Sequence, residues 1–361
     1  MWSLHHRYTY NKSINIINEE RGFDRPLYNG TKPENSNTFY TKLELRNLIV
    51  PESVCSRIPW ILQTPKAIRE SAVFEACKNL KSAISNLKNG HIKYFNLRYK
   101  SKKNIKWTMS IPKESIRVYD NGDLGIYEER TTNFRLKTTE KITNINNDCT
   151  IHYNGLYYYI CVPQQVEIKT NKSCNWVCSL DPGTRKFQTI YSPDNDNYLI
   201  IGDKASTILY NNLIKLDKLI SNPNSKNKLK IQKLRLRIAN LQNDLHFKTS
   251  NFLCNNYKNI YIPKLTNEND IIKLKNRKIN TKTVRNMVVL GHCKFVERLK
   301  TKADEFTNVR IHTITEEYTS QKCLNCKNLT KTSKEIYVCN NCNFTMDRDI
   351  LGSTNILLKN W

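Results

Sequence analysis

Apolar residues recur at helical spacing over 64–89, where Ala67, Ala72, Val73, Ala76, Leu80, Ala83, Ile84 and Leu87 fall on one stripe. Thr64-Pro65 opens the run and Asn89-Gly90 closes it, so the pattern predicts a helix with both ends marked. Residues 1–40 are polar, with Gly, Pro and Asn clustered at 22–37, and read as loosely ordered, above all over 20–40. Beyond residue 90 the period changes. Short β-branched and aromatic runs (Ile92 to Leu97, Trp107 to Ile111, Ile116 to Tyr119, Leu124 to Tyr127, Leu156 to Val162) alternate with turn signals such as Asp120-Asn121-Gly122-Asp123. That predicts a small antiparallel β domain, a sandwich or a barrel.

From residue 171 a third pattern begins. Trp176-Val177-Cys178-Ser179-Leu180 reads as a buried strand ending in Asp181, and Pro182-Gly183 forces a turn. Phe187 to Tyr191 and Tyr198 to Ile201 continue as a meander. Leu209, Leu213, Leu216, Leu219 and Ile220, then Leu229, Leu234, Ile238, Leu241 and Leu245, form two apolar stripes broken at Pro223-Asn224, hence a helical pair over 204–248. A strand at 259–263, a basic linker from Lys273 to Arg285, a helix from Val289 to Phe306 and a strand from Val309 to Ile314 lead into Glu316. This β-β-β-α-β-α-β-α order is that of an RNase H-like fold. There, carboxylates from early and late elements converge on two Mg²⁺ about 4 Å apart, which activate water and stabilise the leaving oxygen. Mg²⁺ takes oxygen ligands and keeps several waters, so three carboxylates suffice.

Charge narrows the partners. The formal net charge is +26 over 361 residues, an excess that a polyanion would neutralise. No apolar run approaches the roughly 20 residues of a membrane span, and the N-terminus lacks the apolar core of a signal peptide. Lys226, Lys228, Lys230, Lys233, Arg235 and Arg237 form a basic series with no acid between 226 and 243. It reads as a phosphate-facing helix, with a solvated face as the alternative. A second basic group (Lys93, Arg98, Lys100, Lys102, Lys103, Lys106) decorates the start of the β region.

Of 12 cysteines, four form two CxxC pairs, Cys323/Cys326 and Cys339/Cys342. Four thiolates at this spacing suit one structural Zn²⁺ with every ligand position filled. The other eight do not form a secreted disulfide framework and read as reduced, mostly buried thiols of a cytosol-like or nuclear compartment, with Cys174 and Cys178 as core thiols.

Ser179-Leu180-Asp181-Pro182-Gly183, Tyr318-Thr319-Ser320 running into Cys323-Leu324-Asn325-Cys326, then Cys339-Asn340-Asn341-Cys342 and Asp347-Arg348-Asp349, resemble as an ordered set the RuvC domain of TnpB nucleases. The closer resemblance is to Fanzor, their counterparts in eukaryotes and large DNA viruses. Arg7 to Lys12 looks like the first helix of that family's recognition lobe, Pro59-Trp60 with Thr64 to Arg69 like a later one, and Lys100 to Lys103 like the basic return into its wedge β-barrel. The resemblance leads one to expect a wedge strand ahead of the first helix; with the sequence starting at Met1, that strand is expected to be missing, through a naturally short or a truncated start.

The resemblance implies an α+β multidomain fold: a helical recognition lobe (1–90), a wedge β-barrel (91–172) and an RNase H-like RuvC domain (173–361) with a four-cysteine zinc-ribbon insert (320–345). It implies a transposon-associated, RNA-guided DNA endonuclease, monomeric with its guide RNA, acting on target double-stranded DNA in the nucleus or cytosol of a eukaryotic or virus-infected cell. Asp181, Glu316 and Asp349 would be the catalytic carboxylates holding two Mg²⁺. The family's usual middle Glu at the end of the 259–263 strand falls here near Lys264, and a relocated Glu ahead of Tyr318 takes its place. Glu317 is the alternative to Glu316, and Asp347 would cap the last helix or support the site. Competing classes are a binding protein without cleavage and an RNase H-like transposase.

Overall fold

Tyr10, Ile14 and Ile17 recur at i, i+4 and i+7 along a 19-residue helix, α1 (Trp2–Glu20), and all three are buried. The computed structural model describes residues 1–20, 27–28, 41–131, 135–195, 197–222, 227–264 and 280–360. They fall into two units, 1–165 and 166–361.

In the first unit α1 packs with α2 (Lys42–Ile49) and α3 (Lys66–Lys88) around Leu45, Ile49, Ala72, Val73 and Ala76. Thr41 and Glu44 close a capping box at the start of α2. Residues 2–20 are therefore ordered helix, not loose chain: one apolar stripe buried among His, Asn and Lys is enough to dock it. Of the segment 20–40, only residues 20 and 27–28 lie among those described, and Leu27–Tyr28 pairs with Tyr94–Phe95. That two-residue ladder is all the strand found in the run from Ile92 to Leu97.

The β region comprises β1 (Trp107–Ile111), β2 (Ile116–Val118), β3 (Leu124–Ile126), β4 (Arg135–Leu136), β5 (Cys149–Tyr153) and β6 (Tyr158–Cys161). They form two antiparallel three-stranded sheets, β1-β5-β6 and β2-β3-β4, and no ladder joins them among the described residues. β4 and β5 were not expected; β5 interleaves Cys, Thr and His and hides its alternation. Ile68 of α3 packs with Met109, Ile111 and Ile126, so helices and sheets share a core.

The second unit is built on a five-stranded sheet of order β9-β8-β7-β10-β11: β7 (Val177–Pro182), β8 (Gln188–Ser192), β9 (Asn197–Ile201), β10 (Asn259–Pro263) and β11 (Arg310–Ile314). β7, β8 and β9 are antiparallel, while β10 runs parallel to both β7 and β11. Between β9 and β10 run α4 (Ala205–Ser221) and α5 (Asn227–Asn256), the latter running about two turns past the expected end of the pair at residue 248. The single helix expected over 289–306 is two, α6 (Thr281–Leu290) and α7 (His292–Ala303). Gly291 breaks it: its φ of 63° ends α6 and starts α7. A Cβ there would stand 2.6 Å from Nε2 of Gln242, which itself donates to the Val289 carbonyl. The expected basic linker lies largely outside the described residues, and Arg285 belongs to α6. The unit closes with a hairpin, β12 (Ile336–Val338) and β13 (Thr345–Asp347), and α8 (Arg348–Asn360). Cys178 and Cys254 are core thiols; Cys174, ahead of the first strand, is exposed, as is Cys161.

Candidate active site

Three chain segments bring acids together. Asp181 sits near the end of β7. Glu316 follows β11 by two residues, and Asp349 occupies the first turn of α8. The approach of α8 to β7 is close because Gly352 faces Asp181: a Cβ there would lie 2.5 Å from Asp181 Oδ2. Ser179 Oγ donates to the Ser353 carbonyl at 2.7 Å and pins the same contact.

Electrostatics records the convergence. Burial, then the charges of Asp349 and Glu316, push Asp181 up to about 8; Arg348 opposes and Asp347 adds slightly. Of the two neighbouring glutamates, Glu316 is the one among the main charges acting on Asp181. Glu316 is solvent-exposed as a residue, yet enough protein surrounds its carboxyl for burial to raise its pKa. Asp347 Oδ1 accepts from the backbone N–H of Asp349 and Ile350 at 2.9 and 3.2 Å, the geometry of a helix cap.

Lys186 stands beside these acids and was not expected from the sequence. Its Nζ is 2.9 Å from Asp347 Oδ2 and 3.4 Å from Asp349 Oδ2. Burial works against the ammonium, but the hydrogen bond and charge of Asp347 and the charge of Asp349 outweigh it and raise its pKa. For Asp347 burial is likewise outweighed, by hydrogen bonds from Lys186 and from the Ile350 and Asp349 N–H groups, and its pKa falls. Neighbouring Arg185 pairs with Glu335, so both cations of the turn between β7 and β8 reach the segment preceding α8. The only hint in the sequence is an Arg-Lys pair just after an acid-ended strand. The turn is also held by His292, whose ring N–H at Nε2 donates to the Gly183 carbonyl at 2.9 Å. Phe187 stacks on both His292 and His246, with centroids 5.2 and 5.3 Å away.

The four cysteines converge as their spacing requires. Their sulfurs lie within 4.8 Å of one another, with Cys323–Cys342 at 3.6 Å and Cys326–Cys339 at 3.5 Å. Tetrahedral Zn²⁺ with Zn–S of about 2.3 Å places sulfurs about 3.8 Å apart, so the set fits that ion. The two knuckles are built alike. Cys323 N–H donates to the Asn328 carbonyl and Cys339 N–H to that of Phe344, while Lys327 and Asn343 donate back to the Cys323 and Cys339 carbonyls. Lys327 and Asn343 both take positive φ, 62° and 54°. Burial works against the Cys339 thiolate, but hydrogen bonds from the Asn341 and Cys342 N–H groups outweigh it and lower the thiol to about 6. Cys342 goes the other way, to about 11: the Phe344 N–H favours its thiolate, but burial and the three neighbouring sulfurs outweigh it. Four thiols this close do not all ionise without a cation between them.

The basic residues divide. Lys100 is engaged internally: its Nζ is 2.6 Å from Glu75 and 4.4 Å over the Tyr10 ring. Lys102 and Lys103 are exposed. Lys228, Lys230, Lys233, Arg235 and Arg237 are all exposed along α5 and make no ion pair with any described residue. Lys226 lies outside the described residues.

A family model described as "Cas12f1-like, TNB domain" matches residues 292–356, the stretch from His292 through the knuckles into α8. A TnpB-like protein of Acanthamoeba polyphaga mimivirus is 27% identical over 286 residues, 70% of this chain and 52% of that protein. A second mimivirus TnpB-like protein is 27% identical over 64% of this chain and 45% of its own length. The chain is similar to TnpB-like proteins of large DNA viruses. It spans about half the length of these mimivirus relatives. A Paramecium bursaria Chlorella virus 1 protein, named as a transposase, is 27% identical over 83% of this chain and 68% of its own. The mixed α/β fold is shared with Cas12f1, solved in a complex with sgRNA and target DNA: TM-score 0.52 at 11% identity, over 98% of this chain and 81% of that one. Among the described residues no helix is long and apolar enough to cross a membrane.

Proposed function

We propose that this chain is an RNA-guided DNA endonuclease whose single RuvC-like site is formed by Asp181, Glu316 and Asp349. The observation that carries this reading is the pressure of the Asp349 and Glu316 charges on half-buried Asp181. Acids crowded this way are unstable alone and suit a divalent cation. Two Mg²⁺ bound there would activate the attacking water and stabilise the leaving oxygen. The chain's own residues orient: Asp347 caps α8 and holds Asp349 in its first turn, Gly352 admits Asp181, and the zinc knuckles close the excursion from Glu316 to Asp349. The strand order of the second unit agrees with an RNase H-like core, and the first unit would contribute the recognition lobe and wedge. Cas12f1, whose fold is similar, has been solved with an sgRNA and target DNA, and the exposed cations of α5 suit a guide-RNA backbone.

One observation favours a second reading, a nucleic-acid-binding protein that does not cut: the Lys186 ammonium already neutralises Asp347 and Asp349. One experiment separates the two. The protein is purified with its co-purifying RNA, the RNA is sequenced, and double-stranded DNA matching it is supplied with Mg²⁺. Cleavage lost in Asp181→Ala supports the nuclease; guide-dependent binding with no cleavage supports the binding protein.

A further inference from the structure

Tyr318 holds a left-handed backbone conformation, φ 63°, and its ring returns nothing to the fold. The residue is 62% exposed, and its side chain has no stacking, ion-pair or hydrogen-bond partner among the described residues. The other described non-glycine residues with positive φ have evident reasons for it. Lys327 and Asn343 close the knuckle turns, and Tyr127 packs into an apolar cluster.

The backbone around Tyr318 is fixed from both sides. Thr319 Oγ1 donates to the Glu316 carbonyl at 2.9 Å. Nδ2 of Asn355, buried on α8, donates to the Thr319 and Lys322 carbonyls at 2.8 and 2.7 Å. The N–H groups of Gln321 and Lys322 donate to the Tyr318 carbonyl. The ring is thus held at a set place two residues from Glu316, tied to the helix that carries Asp349. Glycine would take this turn without strain, so what the strain supports is the ring itself. Cations flank it: Lys322 is exposed, and the exposed Lys359 donates from Nζ to the Glu317 carbonyl at 3.1 Å.

We propose that Tyr318 is a nucleobase-binding residue, an outward aromatic platform on which one unpaired base of the DNA strand entering the acid cluster stacks. This deepens the nuclease reading and rests on it. An aromatic face accepts any base, and the flanking ammonium groups suit the phosphates on either side. Holding the base fixes where the next phosphodiester lies relative to Glu316 and Asp349.

The test uses the full chain with Ca²⁺ replacing Mg²⁺, so that binding is read without cutting. A single-stranded DNA oligonucleotide carrying 5-iodo-2′-deoxyuridine is bound, irradiated, and the adduct mapped by mass spectrometry. The wild-type adduct is expected at Tyr318. Tyr318→Phe should keep both adduct and affinity. Tyr318→Gly should lose the adduct and bind about tenfold more weakly, with a melting temperature unchanged or higher. Wild-type affinity in Tyr318→Gly, or an adduct mapped only elsewhere, overturns the proposal and leaves the nuclease reading standing. A sharp fall in melting temperature for Tyr318→Gly overturns it too, by showing the ring to be structural. A wild-type protein that binds no oligonucleotide overturns the platform, whereas the nuclease reading falls only if guide-matched DNA is left uncut with Mg²⁺.

Discussion

Gly352 and Asp181 meet so closely that a methyl group on the first would begin 2.5 Å from Oδ2 of the second. Helix α8 can approach strand β7 only because position 352 has no side chain, and the acid fills the space. Gly352→Ala is expected to cost about 1–3 kcal/mol by overpacking and to abolish DNA cleavage by displacing Asp181 or Asp349. Thermal denaturation of the single and double variants checks this. In the Asp181→Ala background the same substitution should cost much less, because the two changes share one contact.

Asp181 also sets a pH dependence. Its folded pKa, about 8, is raised above the usual carboxylate value, so the stability it contributes is full below about pH 4 and is lost as pH rises through 8. Asp181→Asn cannot ionise. Without added Mg²⁺ it should match wild type near pH 4 and be more stable by on the order of a few kcal/mol at pH 8.5. Denaturant titrations at both pH values, repeated with Mg²⁺ to narrow the gap, measure it.

The two neighbouring glutamates should behave differently. Glu316→Gln is expected to lose Mg²⁺-dependent cleavage of guide-matched DNA, and Glu317→Gln to keep most of it, since Glu316 is the one of the two among the main charges acting on Asp181. Cleavage rates of both variants at saturating Mg²⁺ decide the point. Equal losses would indicate that the turn itself had been disturbed.

One zinc per chain is expected by elemental analysis. Cys339→Ser should release it and expose the segment between Glu316 and Asp349 to protease, because four crowded thiols and a short hairpin have little core of their own. Limited proteolysis with and without added zinc checks this.

Reversing Lys230, Lys233 and Arg237 to Glu should weaken binding of the co-purifying RNA. It should also lower the slope of log affinity against log salt by about 2 or more. Filter binding at several salt concentrations would show it; an unchanged slope would mean that this face of α5 meets only solvent.

Elements with strong local signals could be read directly. The helix from Thr64-Pro65 to Asn89, the strand ending at Asp181 and the two CxxC pairs lie in the structure where periodicity and spacing put them. Helix α1 was expected only from the resemblance over Arg7 to Lys12, not from periodicity, because three buried side chains among polar ones give a weak average. The break at Gly291 was missed because apolar periodicity continues through it, and only contact with Gln242 reveals the need for glycine. Lys186 and Lys100 show the same limit at the level of charge. Whether a lysine faces a phosphate or an internal acid depends on what the fold brings opposite, and that partner lies far away in sequence: Asp347 for one, Glu75 for the other.

Strands β10 and β11 run side by side, Pro263 opposite Ile314, with the Lys264 N–H donating to the Ile314 carbonyl at 2.8 Å. Two chain positions far apart in sequence therefore emerge from the sheet as neighbours. A lineage could move its middle acid from one strand end to the other through an ancestor carrying both, never passing through a form with neither. Under the proposed assignment the sheet lets either strand end supply the middle acid, and Lys264 stands at the end where the family resemblance would place it.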